Sequence, residues 1–447
     1  MKSKWLLLSI ALGMLLSVGL LTTLTVHAGV TAHAPEAQLA HNTAYVVVRF
    51  GDHDTLVRPI TFTEPISAYH ALELSGLNFS TADHGWGQFL CSIEEVGDGS
   101  GTCDNGDRYW ATYHWDADAW AGRMVGIADT MITQTGHIES FSWSDPDWSA
   151  VEPPPAPALV AAQHGLGWLL DQQQADGGYG TPGNTAEVLI ALGANRQTPA
   201  PDTLATMLNN GQTLAATAGG AGKLALALTP HDTCWPFAVR QPIDHYDPAT
   251  GTFESGAAPH ALAMLGTAAL GQSIPPTATT YLLAQQQPDG GWEWGIGWDT
   301  DTNSTSLALQ ALIAAGEPLT STAIISGLHY LEQAQNTDGG FPYSPTSPWG
   351  TESDTNSTSY VVQALLATGQ DPLTGTWAIS GTQPIAFLLG AQLPDGSFKW
   401  QPGLGANQGA TQQAITALLY RPFPVRAATL APCAPAATIY LPLVQRD

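Results

Sequence analysis

Positive charge is scarce in this chain. Its 447 residues include 13 Lys and Arg against 38 Asp and Glu, a formal net charge of −25. Lysine occurs only at Lys2, Lys4, Lys223 and Lys399. So few cations leave no basic face for a phosphate backbone or anionic lipid, which excludes nucleic acid as a partner. A nucleotide-binding glycine loop, a G-x-S-x-G nucleophile elbow and an H-E-x-x-H metal helix are also missing, and with them the enzyme classes they serve.

The N-terminal stretch "MKSKWLLLSIALGMLLSVGLLTTLTVHAGV" has two lysines, a long uncharged apolar run and a small-residue site at Val26-His27-Ala28. It predicts a signal peptide over 1–28, export to the outside of the cell or its surface, and no membrane association after cleavage. The run from Trp5 to Val26 is also long enough to span a bilayer, so an uncleaved anchor is the alternative. Four cysteines in an exported chain pair in three ways. Cys91 and Cys103 flank a turn-rich stretch and are expected to staple it, leaving Cys234 and Cys433 to tie the C-terminal tail to the larger domain.

Two unlike halves follow. From 43 to 147, the runs "TAYVVVRF", "DTLVRPITF", "GQFLCSIEEV", "RYWATYHWD" and "IESFSWS" read as strands, and "PISAYHALELSG" reads as a helix ending at Gly76. That order predicts a small α+β sheet crossed by one helix. A proline-rich linker is expected over 148–158.

Beyond it, over 159–424, the chain repeats itself. Trp168-Leu169, Tyr281-Leu282, Tyr330-Leu331 and Phe387-Leu388 are each followed at fixed spacing by a glutamine (173, 286, 335, 392), a glycine (177, 290, 339, 396) and an aromatic (179, 292, 341, 398). Each copy reads as an amphipathic helix that ends in glutamines and turns through Asp-Gly. A second, almost wholly apolar helix follows, expected to be capped at Asn184, Asn303, Asn356 or Asn407. Two weaker inner helices, ending near Leu228 and spanning Ser255 to Leu270, bring the total to about six pairs. The expected fold is multi-domain: a small α+β unit, then an all-α α/α toroid of about six helix pairs, then a tail over 425–447.

The aromatic-Leu-x-x-x-Gln-x-x-x-Gly-x-aromatic repeat resembles the QW motif of squalene and oxidosqualene cyclases, and the ring resembles the prenyltransferase/squalene cyclase toroid group. The N-terminal unit, through "RYWATYHWD", is similar to the transcobalamin-like β-grasp domain. That pairing implies a corrinoid such as cobalamin held between the two domains, with the chain order reversed. The cyclase resemblance implies a D-x-D-D acid motif whose middle aspartate protonates an alkene. Here Asp301-Thr302-Asn303-Ser304 and Asp354-Thr355-Asn356-Ser357 overlie it, so amides stand where the acid belongs. The prenyltransferase resemblance implies zinc on an Asp-x-Cys pair; Asp232 and Cys234, with His245 and His260, are the only match, and a disulfide claims Cys234.

The binding reading rests on aromatics in the loops before the inner helices: Trp294, Trp298, Tyr343, Trp349 and Trp400, beside Asp301, Asn303, Asp354, Asn356 and Asn407. His260 near an inner helix start and Trp110 on a strand complete the candidate set, with Tyr109, Tyr113, Trp115 and Trp120 as further aromatics facing the toroid mouth. Together these features predict a secreted, non-catalytic protein binding a small molecule, or a surface glycan or peptide, with no catalytic residue, no metal and no certain cofactor. The alternatives are a divergent terpenoid cyclase-like enzyme and a structural cell-surface module.

Overall fold

A run of three consecutive valines, Val46 to Val48, buried on both faces, sets the first strand of the described chain. The computed structural model describes residues 41–434 except Trp86, Pro348 and Trp349. The leader expected over 1–28 and the tail beyond 434 lie outside the described residues. No described helix is long and apolar enough to cross a membrane.

The strands are β1 (Asn42–Gly51), β2 (Asp54–Phe62), β3 (Ile66–Ser67), β4 (Phe79–Asp83), β5 (Gln88–Ile93), β6 (Val96–Gly97), β7 (Trp110–Asp116), β8 (Ala119–Gly122), β9 (Met131–Ile132) and β10 (Ile138–Trp143). One mixed sheet runs β2-β1-β10-β7-β8, with β1 and β10 parallel and the other pairs antiparallel. Helix α1 (Ala68–Ser75) packs on it, capped by Ser67 and stopped by Gly76 in the left-handed region. A disulfide joins Cys91 on β5 to Cys103.

The remaining helices are α2 (Ala156–Leu170), α3 (Pro182–Ala194), α4 (Pro201–Leu214), α5 (Ala218–Leu228), α6 (Ala257–Ala269), α7 (Pro276–Ala284), α8 (Thr302–Ala314), α9 (Thr322–Ala334), α10 (Thr355–Ala367), α11 (Pro384–Ala391) and α12 (Gln408–Leu418). A two-residue ladder, β11 (Trp292–Glu293) with β12 (Thr300–Asp301), precedes α8. Helices α3, α5, α6, α8, α10 and α12 pack side to side in that order, and α12 packs back on α3. They are the inner ring of an α/α toroid, buried on nearly every face; α2, α4, α7, α9 and α11 stand outside it. The outer partner of α6 is only a short 3-10 turn (Pro242–His245) in a proline-rich segment that cannot sustain a helix. Helix α2 starts at Ala156, inside the expected linker, because Pro157 stands in its first turn, where its fixed φ suits the helix and its missing N–H costs nothing.

Four of the six helix pairs are held by the same polar clip, built on Gln173, Gln286, Gln335 and Gln392. The Gln286 amide donates to Gly290 O (2.8 Å) and to Ala323 O on α9 (2.9 Å). Gln335 spans Gly339 O and Trp377 O, both at 3.0 Å. Gln392 spans Gly396 O (3.0 Å) and Ala161 O on α2 (2.8 Å), joining the last repeat to the first. Each turn glycine has positive φ and lies against the next repeat's backbone, so a Cβ there would be both strained and blocked. The aromatic that follows donates its N–H to a threonine one turn into the inner helix: Tyr179 to Thr185, Trp292 to Thr305, Phe341 to Thr358 and Phe398 to Thr411, at 2.9–3.0 Å.

The sheet meets the ring where the inner helices end. Val47, Val57, Tyr113 and Trp120 share one core with Leu159, Ala162 and Val188. The Asn195 amide pairs with both backbone groups of Val57 (2.7 and 3.1 Å), and Asp54 bridges Arg196 and Arg421. Past α12 the chain crosses the same end of the ring: Phe423 N donates to Gln310 Oε1 (2.7 Å), Ala428 N to Ala269 O (2.8 Å), and Cys433 is bonded to Cys234.

Gln392→Ala leaves two carbonyls without their partner at the ring closure. It is expected to lower unfolding free energy by about 1–3 kcal/mol, read by denaturant titration, while Glu332→Ala on an outer helix moves it by less than about 0.5 kcal/mol. Equal effects from the two variants would contradict the closure role of the clip.

Candidate functional site

The N-termini of the inner helices gather the acidic and aromatic residues at one end of the ring. Asp301 caps α8: its Oδ1 accepts from Ser304 N (2.7 Å), and its Oδ2 from Ser304 Oγ (2.7 Å) and from the Tyr343 hydroxyl (3.2 Å). Asp354 caps α10 in the same way through Ser357 N (2.8 Å) and Ser357 Oγ (2.7 Å), and the Trp400 side chain bonds to it. Both aspartates are buried. Burial pushes the Asp301 carboxyl up to about 6, against the hydrogen bonds that favour its charged form, and shifts Asp354 in the same direction.

The caps are therefore Asp301 and Asp354, not the expected Asn303 and Asn356, because a carboxylate can take both the helix N–H and the serine hydroxyl. Thr181, not Asn184, caps α3, and Asn407 caps α12 as expected. Asn303 and Asn356 sit two residues inside their helices, half-buried.

The second aromatic of each loop lands on the previous inner helix. Thr302 N donates to Tyr343 O (2.8 Å) and Thr355 N to Trp400 O (2.9 Å), while the backbone of Trp294 and Gly295 lies against Gly256 at the start of α6. Tyr343 and Trp400 thus seal one repeat to the next and still leave 39% and 42% of their surface exposed; Trp294 and Trp298 are 44% and 64% exposed. These side chains form an aromatic rim beside Asp301 and Asp354. Trp349 lies outside the described residues.

Two expected site residues belong elsewhere. His260 is fully buried: its Nδ1 accepts from Phe253 N (3.2 Å) and its Nε2 bonds Ala278 O (3.0 Å), so both ring nitrogens are used in packing, and burial lowers its pKa to about 4. Trp110 packs against Phe50 and Trp143 within the sheet core. Tyr113 and Trp120 do face the toroid, but at the end opposite the rim, as packing residues.

Counting from the caps exposes a second layer. Two residues in, at the position of the acid in D-x-D-D, the six inner helices carry Gly183, Gly219, Ala258, Asn303, Asn356 and Gly409. One turn deeper, about 6 Å along the axis, they carry Glu187, Lys223, Leu262, Leu307, Tyr360 and Gln413. A further turn down, Ala191, Ala227, Gly266, Ala311, Ala364 and Ala417 are all buried, and there the helices close together. Lys223 Nζ lies 2.7 Å from Glu187 Oε1. Neither residue stood out in the sequence; the signal was a charged pair at matching repeat positions in two helices otherwise made of small and apolar residues.

The family model of the squalene-hopene cyclase C-terminal domain matches residues 237–427. The chain is 32% identical over 124 residues to a drimenyl diphosphate synthase of Streptantibioticus cattleyicolor, covering 28% of this chain and 22% of that one. It is 32% identical over 132 residues to a drimenyl diphosphate synthase of Streptomyces showdoensis, covering 28% and 23%. The chain thus spans less than a quarter of the length of these relatives. Among solved structures, the type II terpene cyclase MstE from Scytonema superposes with a TM-score of 0.43 at 14% identity, over 59% of this chain and 98% of that one. The ent-copalyl diphosphate synthase from Streptomyces platensis gives 0.38 at 20% identity, over 54% and 50%.

The helical part is a prenyltransferase/cyclase-like α/α toroid. The expectation of a non-catalytic corrinoid-binding protein is overturned, since both the family model and the two relatives point to cyclases. The centre of the contact between sheet and ring, where that ligand was placed, is filled by Val47, Val57, Tyr113 and Trp120. A groove of about 910 Å³ at its edge is lined by charges, among them Arg58, Glu94 and Arg426.

A carboxyl held at about 6 in the fold and 3.8 when free binds its proton more tightly in the native state. Its contribution to stability is full below about pH 4 and is lost as pH rises through about 6. The stability of the native protein minus that of Asp301→Asn, which keeps an oxygen for Ser304 N, is expected to fall by up to about 3 kcal/mol across this window. Denaturant titrations at several pH values measure it; a difference constant with pH would show an ordinary acidity for Asp301.

Proposed function

We propose that this chain is a terpenoid cyclase-like enzyme that starts cyclisation of an isoprenoid chain by protonating an alkene at the rim of its toroid. The observation that carries the reading is the Asp301–Tyr343 pair: a buried carboxyl that burial keeps protonated up to about pH 6, hydrogen-bonded to a partly exposed phenol. The family match over 237–427 supports it, because that match includes α8, α10 and the loops carrying the rim.

The proposed step uses a proton already on Asp301. With Asp301 protonated, its hydrogen bond with Tyr343 is proposed to reverse, so that the carboxyl passes its proton to the phenol oxygen as the phenol gives its own to the terminal alkene carbon, leaving Asp301 as carboxylate and the substrate as a carbocation. The exposed faces of Trp294, Trp298 and Trp400 are available to stabilise that cation. Loss of a proton from the cyclised product, returned to Asp301, completes the cycle. Asp354 has the same surroundings, but its aromatic partner is Trp400, whose indole N–H is not a proton relay. This assignment departs from the family's acid position, which here carries no carboxyl on any inner helix.

A leader over 1–28, as the sequence leads one to expect, would place this action outside the cell or at its surface. The parallel pairing of β1 with β10 at the centre of the mixed sheet supports a β-grasp reading of 43–147.

The test is incubation with squalene, geranylgeranyl diphosphate and geranylgeraniol between about pH 5 and pH 7.5, followed by mass spectrometry for cyclic products. Yield is expected to fall as pH rises through about 6, because only the protonated carboxyl donates, and Asp301→Asn and Tyr343→Phe are expected to lower it by about 100-fold or more. Absence of any cyclic product, or product formation indifferent to Asp301→Asn, would overturn the proposal.

A further inference from the structure

The Glu187–Lys223 pair is the least economical feature of the ring. Lys223 is one of two lysines among the described residues, and it lies on an inner helix rather than the surface. Burial works against its charge, but the Glu187 carboxylate outweighs burial and keeps the ammonium protonated. Replacing such a pair by apolar residues usually costs a fold nothing, so its retention is a pointer to use.

Its position follows from the order of the ring. Helix α5, which carries Lys223, and α10, which carries Tyr360, stand opposite each other, three helices apart in either direction. The charges of both Glu187 and Lys223 nevertheless act on the Tyr360 hydroxyl. On inner helices buried on nearly every face, Lys223, Tyr360 and Gln413 at this same level each keep part of their surface exposed, which points them to the ring's axis. A quarter of the Lys223 side chain and a tenth of Glu187 are exposed. Beside them, Gln413 Nε2 donates to the Tyr360 oxygen (3.2 Å), and Asn356 Nδ2 donates to Gln413 Oε1 (2.7 Å), so a polar chain runs from the pair's level up toward the mouth. Leu262 and Leu307 complete the layer.

We infer that this layer is the binding site for a hydroxyl group at one end of an isoprenoid substrate, and that it selects a polyprenyl alcohol over both a polyprenyl diphosphate and a hydrocarbon. The inference rests on the cyclase reading and names its substrate class. A hydroxyl donates one hydrogen bond and accepts others, which matches a carboxylate that accepts beside an ammonium that donates. A diphosphate would bring several negative charges to a layer whose single cation is already neutralised by Glu187, and would face that carboxylate. A hydrocarbon end would cover Glu187, Lys223, Tyr360 and Gln413 without satisfying any of them.

Calorimetric titration of the full-length protein with geranylgeraniol, geranylgeranyl diphosphate and the parent hydrocarbon, each solubilised in the same detergent, tests this without requiring turnover. The alcohol is expected to bind about tenfold or more tighter than either competitor. Lys223→Met alone leaves Glu187 buried and unpaired and risks the fold, so the variants are Tyr360→Phe, which keeps the shape, and the double change Glu187→Gln with Lys223→Met, which removes both charges together. Both are expected to fold, by circular dichroism, and to erase the preference for the alcohol while leaving hydrocarbon binding within about twofold. Diphosphate binding as tight as the alcohol, or an alcohol preference that survives both variants, overturns the inference and leaves the cyclase proposal standing. If none of the three binds, this site assignment falls, and the cyclase reading is decided separately by product formation.

Discussion

Four joints of the helical ring depend on a glutamine side chain donating two hydrogen bonds at once. An amide NH₂ has two protons, and in Gln286, Gln335 and Gln392 one goes to the carbonyl of the repeat's own glycine turn while the other crosses to the next outer segment. Buried backbone carbonyls without partners are costly, so neither bond is expendable. Because the last of these bonds reaches α2, the array closes on itself and needs no capping repeat. The threonine that receives the aromatic N–H transmits this order inward. It bonds back to the carbonyl of the helix cap, as Thr305 does to Asp301 O and Thr358 to Asp354 O. Outer helix, turn and inner helix start are thereby one rigid unit, and whatever sits on that start is positioned by the repeat itself.

Asp301 and Asp354 acquire their chemistry from this placement. A capping carboxylate on an exposed helix gains stability as an anion, from the helix N–H groups and the helix dipole. Here the next repeat's aromatic closes over the cap, water is excluded, and desolvation outweighs those hydrogen bonds. One side chain serves as a structural cap and is also kept close to neutrality. The difference between the two sites then lies in their covers: Tyr343 carries an exchangeable proton and Trp400 does not serve as a relay, so near-identical repeats give chemically distinct rims.

The repeat architecture was legible in the sequence because its parts are local. Spacing among aromatic, glutamine and glycine reports a helix end and a turn, and the strand runs from "TAYVVVRF" to "IESFSWS" report their own alternation. What escaped was relational. Asn303 and Asn356 looked like caps because they stand before apolar runs, but the choice between them and the aspartates two residues earlier is decided by the serine hydroxyls at 304 and 357, which only a carboxylate satisfies together with the helix N–H. His260 looked like a cavity ligand until Phe253 and Ala278 were seen to take both of its nitrogens. The lumen pair was invisible for a stronger reason. Glu187 and Lys223 lie 36 positions apart, and nothing local distinguishes an axial charge from a surface one. Only the closure of six helices gives the shared cap-plus-six position its meaning.

That closure also fixes which end of the ring is available for chemistry. Small residues from Ala191 to Ala417 let the inner helices approach one turn below the charged layer, and the segment from Phe423 to Cys433 is laid across the far end and bonded to Cys234. From cap to the alanine level is about ten residues, or roughly 15 Å. In the proposed reaction a long isoprenoid chain exceeds this length, which puts its reacting part among the loop aromatics and only one end in the ring. On that proposal the rim loops shape the chain, and the helices that identify the fold contribute mainly the carboxyls at their caps and the polar layer beneath. Similarity to diphosphate synthases along less than a third of this chain constrains the scaffold. What differs between repeats is the charged pair of Glu187 and Lys223 and the length and aromatic content of the loops, and the proposed substrate choice rests on these.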